Sequence, residues 1–94
     1  MIQRFCFVKL LDDEVATRTE LAHLLRGQLE SAGVEVVVGV PADDSAARWD
    51  LSITITAPSL AVWHELSQQP AMTGVFDELS VRATVVKAWT FEVA

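Results

Sequence analysis

Apolar positions along the chain recur with two different periods. Residues 2–11 are rich in Phe, Val and Leu, contain no Gly or Pro, and stop at the acidic cluster Asp12, Asp13 and Glu14, which predicts a strand from Ile2 to Leu11. The period then lengthens. Leu21, Leu24, Leu25 and Leu29 recur at helical spacing with Glu20, His23, Arg26 and Glu30 on the other side, predicting an amphipathic helix from about Glu14 to Ser31. Asp12 or Asp13 is the expected cap at its start, and Gly33 the left-handed residue that ends it.

A β-branched run from Val34 to Val40 closes at Pro41, and after the loop PADDSAAR a second run extends from Trp49 to Ala57. Alternation in the latter is clean: Leu51, Ile53 and Ile55 share one face, Ser52, Thr54 and Thr56 the other, so one face of this strand belongs to a core. Ser59 then caps a second helix whose apolar side carries Leu60, Trp63 and Leu66. Proline disfavours helical geometry in the residue before it, so Gln69-Pro70 breaks that helix, and Pro70 starts a new, short one bearing Val75, Phe76 and Leu79. A last strand from about Ala83 to Val93 is apolar in both phases, with Val85, Trp89, Phe91 and Val93 in one and Val86, Ala88 and Thr90 in the other.

The order β-α-β-β-α-β is that of an α+β, ferredoxin-like domain, with both helical segments on one face of a four-stranded antiparallel sheet and the second segment broken at Pro70. Residues 1–94 are read as one such domain. In the first strand Phe5 and Phe7 oppose Cys6 and Val8, so the face away from the helices is greasy as well. With 51% of all residues apolar, the chain carries more oil than one small core absorbs. A homodimer through the open sheet faces, with Phe5, Phe7 and Trp89 in the interface, is the economical outcome.

Charge and cysteine content narrow the partners. Net charge is −6, and the seven basic residues are scattered rather than clustered, which argues against nucleic acid and against an anionic membrane surface. The apolar start is interrupted by Arg4 and Lys9, too early for a signal-peptide core or a membrane span. Cys6 is the only cysteine, so neither an internal disulfide nor a thiolate zinc site is available, and a reducing cytoplasm is the simplest home.

The whole chain resembles the stress-responsive A/B barrel family. The resemblance is carried by the opening Met1-Ile2-Gln3-Arg4-Phe5-Cys6-Phe7-Val8-Lys9, by Trp49-Asp50-Leu51, by the break Gln69-Pro70-Ala71-Met72, and by the close Ala88-Trp89-Thr90-Phe91-Glu92-Val93. It implies a dimeric α/β barrel; similar ferredoxin-like dimers include small monooxygenases and cyclases of polyketide-like substrates, although fold alone does not transfer chemistry. Relatives with cyclase activity look to use histidines where this chain has Arg4, Leu51, Gln69 and Met72. With neither acid nor base at those places, proton abstraction by that route loses its support.

Several residues remain as candidates. Arg4 shares the phase of Ile2, Cys6 and Val8, facing the helices, where it could hold an anionic or carbonyl-bearing ligand; the plainer alternative is a strand-end arginine paired with a surface acid. Leu51, Trp63, Met72 and Phe76 complete the expected hydrophobic ligand pocket, unless they are ordinary core. His64 would be the proton-transfer group of an enzyme, but without an orienting partner it reads better as a boundary histidine, and His23 as a solvated one. Cys6 reads as a small buried hydrophobe, and Asp43-Asp44 as a solvated turn rather than a cation site. No metal and no cofactor is called for.

The expected function is binding without catalysis, either of a small hydrophobic molecule between helices and sheet or of a cellular partner. The alternative is a cofactor-free monooxygenase or polyketide-cyclase-like enzyme, with Arg4 polarising a carbonyl and His64 moving the proton. A purely structural dimer, its pocket filled by side chains, is the third possibility.

Overall fold

Strict alternation organises the centre of the sheet. In the computed structural model, which describes residues 1–46 and 48–94, strand β1 (Ile2–Leu10) turns Ile2, Cys6, Val8 and Leu10 into the core, and β3 (Leu51–Ala57) does the same with Leu51, Ile53, Ile55 and Ala57. Between them in sequence lie α1 (Arg18–Ser31) and β2 (Glu35–Gly39); after them come α2 (Leu60–Ser67), α3 (Pro70–Arg82) and β4 (Ala83–Glu92). The four strands pair antiparallel in the order β2-β3-β1-β4, the ferredoxin-like arrangement expected from the element order. Both helical layers lie on the face that carries Ile53 and Ile55, and Leu21, Leu25, Leu29, Trp63, Met72, Val75 and Leu79 close the core from that side.

Local signals account for most boundaries. Ser59 Oγ accepts the Val62 N–H at 3.2 Å and starts α2. Gln69 is extended (φ −72°, ψ 141°) ahead of Pro70, which occupies the first turn of α3 and breaks the second helical region as its ring sterics require. The segment after the break is not short: α3 has 13 residues against eight for α2 and runs directly into β4. Gly33, at φ +91°, takes the left-handed conformation that turns the chain after α1.

Other expectations need correction. Residues Asp12–Thr17 form a 3-10 turn, so α1 starts at Arg18 and neither Asp12 nor Asp13 caps it; its N-cap, Thr17, makes no side-chain capping bond. The tighter turn brings Val15 against the core. Leu24, placed in the apolar stripe by spacing alone, is 47% exposed, while Ala22 is buried. At about 100° per residue, Leu21, Ala22, Leu25 and Leu29 fall within one arc and Leu24 lies outside it, so packing selected a stripe rotated from the one the leucines outline. Leu60 is likewise exposed. Strands β2 and β3 are shorter than their apolar runs, which leaves Val34 and Trp49 outside them.

The buried residues of α1, α2 and α3 all pack on the core face, and none of these three helices covers the second face of the sheet among the described residues. The register aligns Phe5 with Trp89, Gln3 with Phe91 and Phe7 with Lys87, so these residues share that face. Phe5 meets Phe91 edge-on at 5.8 Å, and Phe7 lies 5.9 Å from Trp49 and 6.1 Å from Trp89. Trp89 remains 46% and Phe91 58% exposed.

Candidate functional site

Under the junction of α2 and α3 the sheet presents small side chains. Cys6 of β1 is paired with Ala88 of β4, and beside them Val86 completes a shallow floor. The break at Pro70 sets α2 and α3 on separate axes above this floor, and the space left is a cavity of about 310 Å³. Trp63 and Ser67 enter it from α2; Met72, Thr73, Phe76, Asp77 and Ser80 enter from α3. Its size falls at the lower end of the range for small-molecule sites.

Arg4 also lines the cavity. It shares the inner face with Cys6, as its strand phase requires, and its guanidinium carbon lies 5.5 Å from the centroid of the Trp63 ring. NH1 donates to Thr90 Oγ1 at 2.8 Å across the β1–β4 pair. Among the described residues Arg4 has no carboxylate within ion-pair distance, so the plainer expectation of a surface-paired arginine does not hold. Its charge is therefore held by a ring face and a hydroxyl, with donors left over.

The sequence candidates divide. Arg4, Trp63, Met72 and Phe76 come together in this cavity, Trp63 and Met72 largely buried and Phe76 partly so. Leu51 does not line it: fully buried at the start of β3, it borders a different depression of about 280 Å³, beside Phe7, Gly39 and Trp49. His64 is exposed on α2 and is absent from the cavity wall, because its neighbour Trp63 takes the inward position. His23 borders a larger but shallow and open depression of about 780 Å³ between α1 and α3, with Leu24, Gly27 and Gly74; an open surface of this kind removes little of a ligand from water.

Cys6 is 3% exposed on the cavity floor, and burial pushes its thiol pKa up, with the nearby Arg4 charge opposing part of that rise. A thiol held protonated is a poor nucleophile. Asp43 accepts from the backbone N–H and hydroxyl of Ser45, bonds that hold its carboxyl below the usual range in an exposed turn. Among the described residues no group of three or more His, Cys, Asp or Glu side chains is arranged to hold a metal, and no helix is long and apolar enough to cross a membrane.

Sequence reasoning missed Asp77, Thr73 and Ser80. Their spacing of four and then three residues puts them on one face of α3. That signal was present in the sequence, but only the docking of α3 over β4 shows that the face lines a cavity.

No protein-family model matches this chain, nor does any curated protein sequence. Solved structures share its fold. A hydroxynitrile lyase from Passiflora edulis superposes with a TM-score of 0.83 at 11% identity, covering 99% of this chain and 93% of that one. A dimeric ferredoxin-like protein of unknown function from Thermobifida fusca YX gives 0.82 at 11% identity, covering 98% and 90%. An antibiotic biosynthesis monooxygenase gives 0.75 at 8% identity, covering 100% and 99%. Identities this low establish common architecture and leave the chemistry to the residues of the site.

Proposed function

We propose that this chain is one subunit of a cytoplasmic homodimeric α/β barrel of the stress-responsive A/B barrel type, and that each subunit binds a small, largely apolar molecule between its helices and its sheet. The observation that carries the binding reading is the Arg4 guanidinium, unpaired with any carboxylate among the described residues, bordering a cavity floored by Cys6 and Ala88 and walled in part by Trp63, Met72 and Phe76. A guanidinium without an ion pair, at a cavity with apolar rings in its walls, is a ready anchor for a carbonyl or an anion. The dimer reading is supported by the aromatic face of Phe5, Phe7, Trp89 and Phe91, by the sequence resemblance, and by the dimeric state stated for the Thermobifida fusca protein.

The enzymic alternative, a cofactor-free monooxygenase or cyclase, has less behind it. Arg4 is placed to polarise a carbonyl, but His64, its expected proton-transfer partner, lies outside the cavity. A purely structural dimer fits less well with an open cavity. The test is a thermal-shift screen of aromatic carboxylates, phenols and ketones against the wild type and Arg4→Ala. A bound ligand at a hundredfold above its Kd adds about 2.7 kcal/mol of stability. Binding without product formation, lost in Arg4→Ala, is the expected result. Turnover of any hit would favour the enzyme, and a screen in which nothing raises the melting temperature would favour the structural dimer.

A further inference from the structure

The cavity is polar in a directional way. On the sheet side stands a donor: Arg4, with NH1 committed to Thr90 and its other N–H groups available. On the helix side, α3 contributes acceptors, while Trp63 of α2 carries an indole N–H donor. Thr73 Oγ1 donates its proton to the Pro70 carbonyl and Ser80 Oγ donates to the Phe76 carbonyl at 2.8 Å, so each hydroxyl shows the cavity only lone pairs. Asp77 lies between them on the same face of α3 and, among the described residues, forms no ion pair with Arg4 or with any other cation. Arg4 on the sheet and Asp77 on α3 thus line one cavity without forming an ion pair with each other.

We infer that the ligand is an aromatic zwitterion: its carboxylate binds Arg4, its ammonium group binds Asp77, and its flat apolar body lies between Trp63, Met72 and Phe76. An ammonium group answers the charge of Asp77, and a carboxylate matches the fork of the arginine. A neutral hydroxyl in the ammonium's place would donate once and leave the charge of Asp77 unanswered. The inference rests on the reading of this cavity as a ligand site.

Three probes with one ring system separate the two charges: indole-3-propionate carries only the acid, tryptamine only the amine, and tryptophan both. Isothermal titration of the wild-type protein is expected to rank tryptophan above the other two. Asp77→Asn should weaken tryptophan and tryptamine by about two- to fivefold, the range for an ion pair at a solvent-accessible wall, and leave indole-3-propionate unchanged. Arg4→Gln should weaken tryptophan and indole-3-propionate and spare tryptamine. Should indole-3-propionate bind through Arg4 while tryptophan gains nothing from Asp77, the zwitterion is overturned and the ligand site stands. Absence of binding by all three probes at millimolar concentration also overturns the zwitterion, and the broader ligand screen then decides the site on its own.

Discussion

Asp50 accepts the main-chain N–H of Leu10 at 2.9 Å, joining the entry of β3 to the far end of β1. The register of β1 against β4 shifts between Lys9 and Leu10, and the Leu10 N–H is satisfied by this side chain. The second carboxylate oxygen accepts from Arg18 NH1 at 3.1 Å, which brings in the start of α1. Asp50→Ala leaves a buried N–H without a partner and is expected to cost about 1–3 kcal/mol. Asp50→Asn keeps an acceptor for Leu10 and loses only a partly exposed ion pair, about 1 kcal/mol or less. Urea unfolding midpoints at constant slope measure both. Equal losses in the two variants would show that the Arg18 pair, not the Leu10 bond, carries the stabilisation.

The aromatic face predicts the oligomeric state. Trp89 and Phe91 are its most exposed rings, each touching an inner neighbour, Phe7 or Phe5. If two subunits meet there, Trp89→Asp or Phe91→Asp places a charge in the centre of the interface. Loss of an anchor of this kind costs about 2 kcal/mol or more, roughly thirtyfold in Kd. Sedimentation velocity at micromolar concentration should find the wild type dimeric and the variants shifted to monomer, with far-UV circular dichroism unchanged. Variants as dimeric as the wild type would move the interface elsewhere.

Two glycines predict opposite signs. At Gly33, φ is +91°, where any Cβ is strained, so Gly33→Ala should destabilise by about 1–2 kcal/mol. Gly74 sits within α3 and an added Cβ there meets nothing within 4 Å; Gly74→Ala should stabilise by about 0.5–1 kcal/mol through helix propensity and a less free unfolded chain. Thermal unfolding of the two variants beside the wild type reads the difference directly. A gain at Gly33 or a loss at Gly74 would contradict the backbone account.

Cys6 predicts a pH dependence. Burial raises its thiol pKa above that of the unfolded chain, Arg4 opposing only part of the rise. The associated stability is complete below the unfolded pKa, about 8.5 for a free thiol, and falls as pH climbs through the folded value. Between pH 8 and 10 the wild type should therefore lose stability more steeply than Cys6→Ala, whatever the offset between them at neutral pH. Parallel curves would mean the thiol ionises alike in both states.

Much of the fold was legible locally. The alternation of Leu51, Ile53 and Ile55, the Ser59 cap, the Pro70 break and the Gly33 turn each depend on a residue and its near neighbours in sequence, and each appears where the pattern put it. Inward and outward faces of β1 followed from its period of two, which placed Arg4 with Cys6 and Phe5 with Phe7 on opposite sides. Of the residues assigned to a ligand pocket, Arg4, Trp63, Met72 and Phe76 line one cavity and Leu51 borders another depression, while Asp77, which also lines the first, was not singled out.

By itself, then, the sequence determined the elements, their order and the inner face of each central strand, because steric and hydrogen-bonding preferences act over a few residues. Tertiary packing decided the rest. It rotated the buried stripe of α1 away from Leu24, because a helix can turn about its axis until the sheet below it is filled. It opened a cavity above Cys6 and Ala88, and it brought Arg4 and Asp77 to line it, because the meeting of residues more than seventy positions apart depends on the β1–β4 register and the docking of α3, which no local pattern encodes.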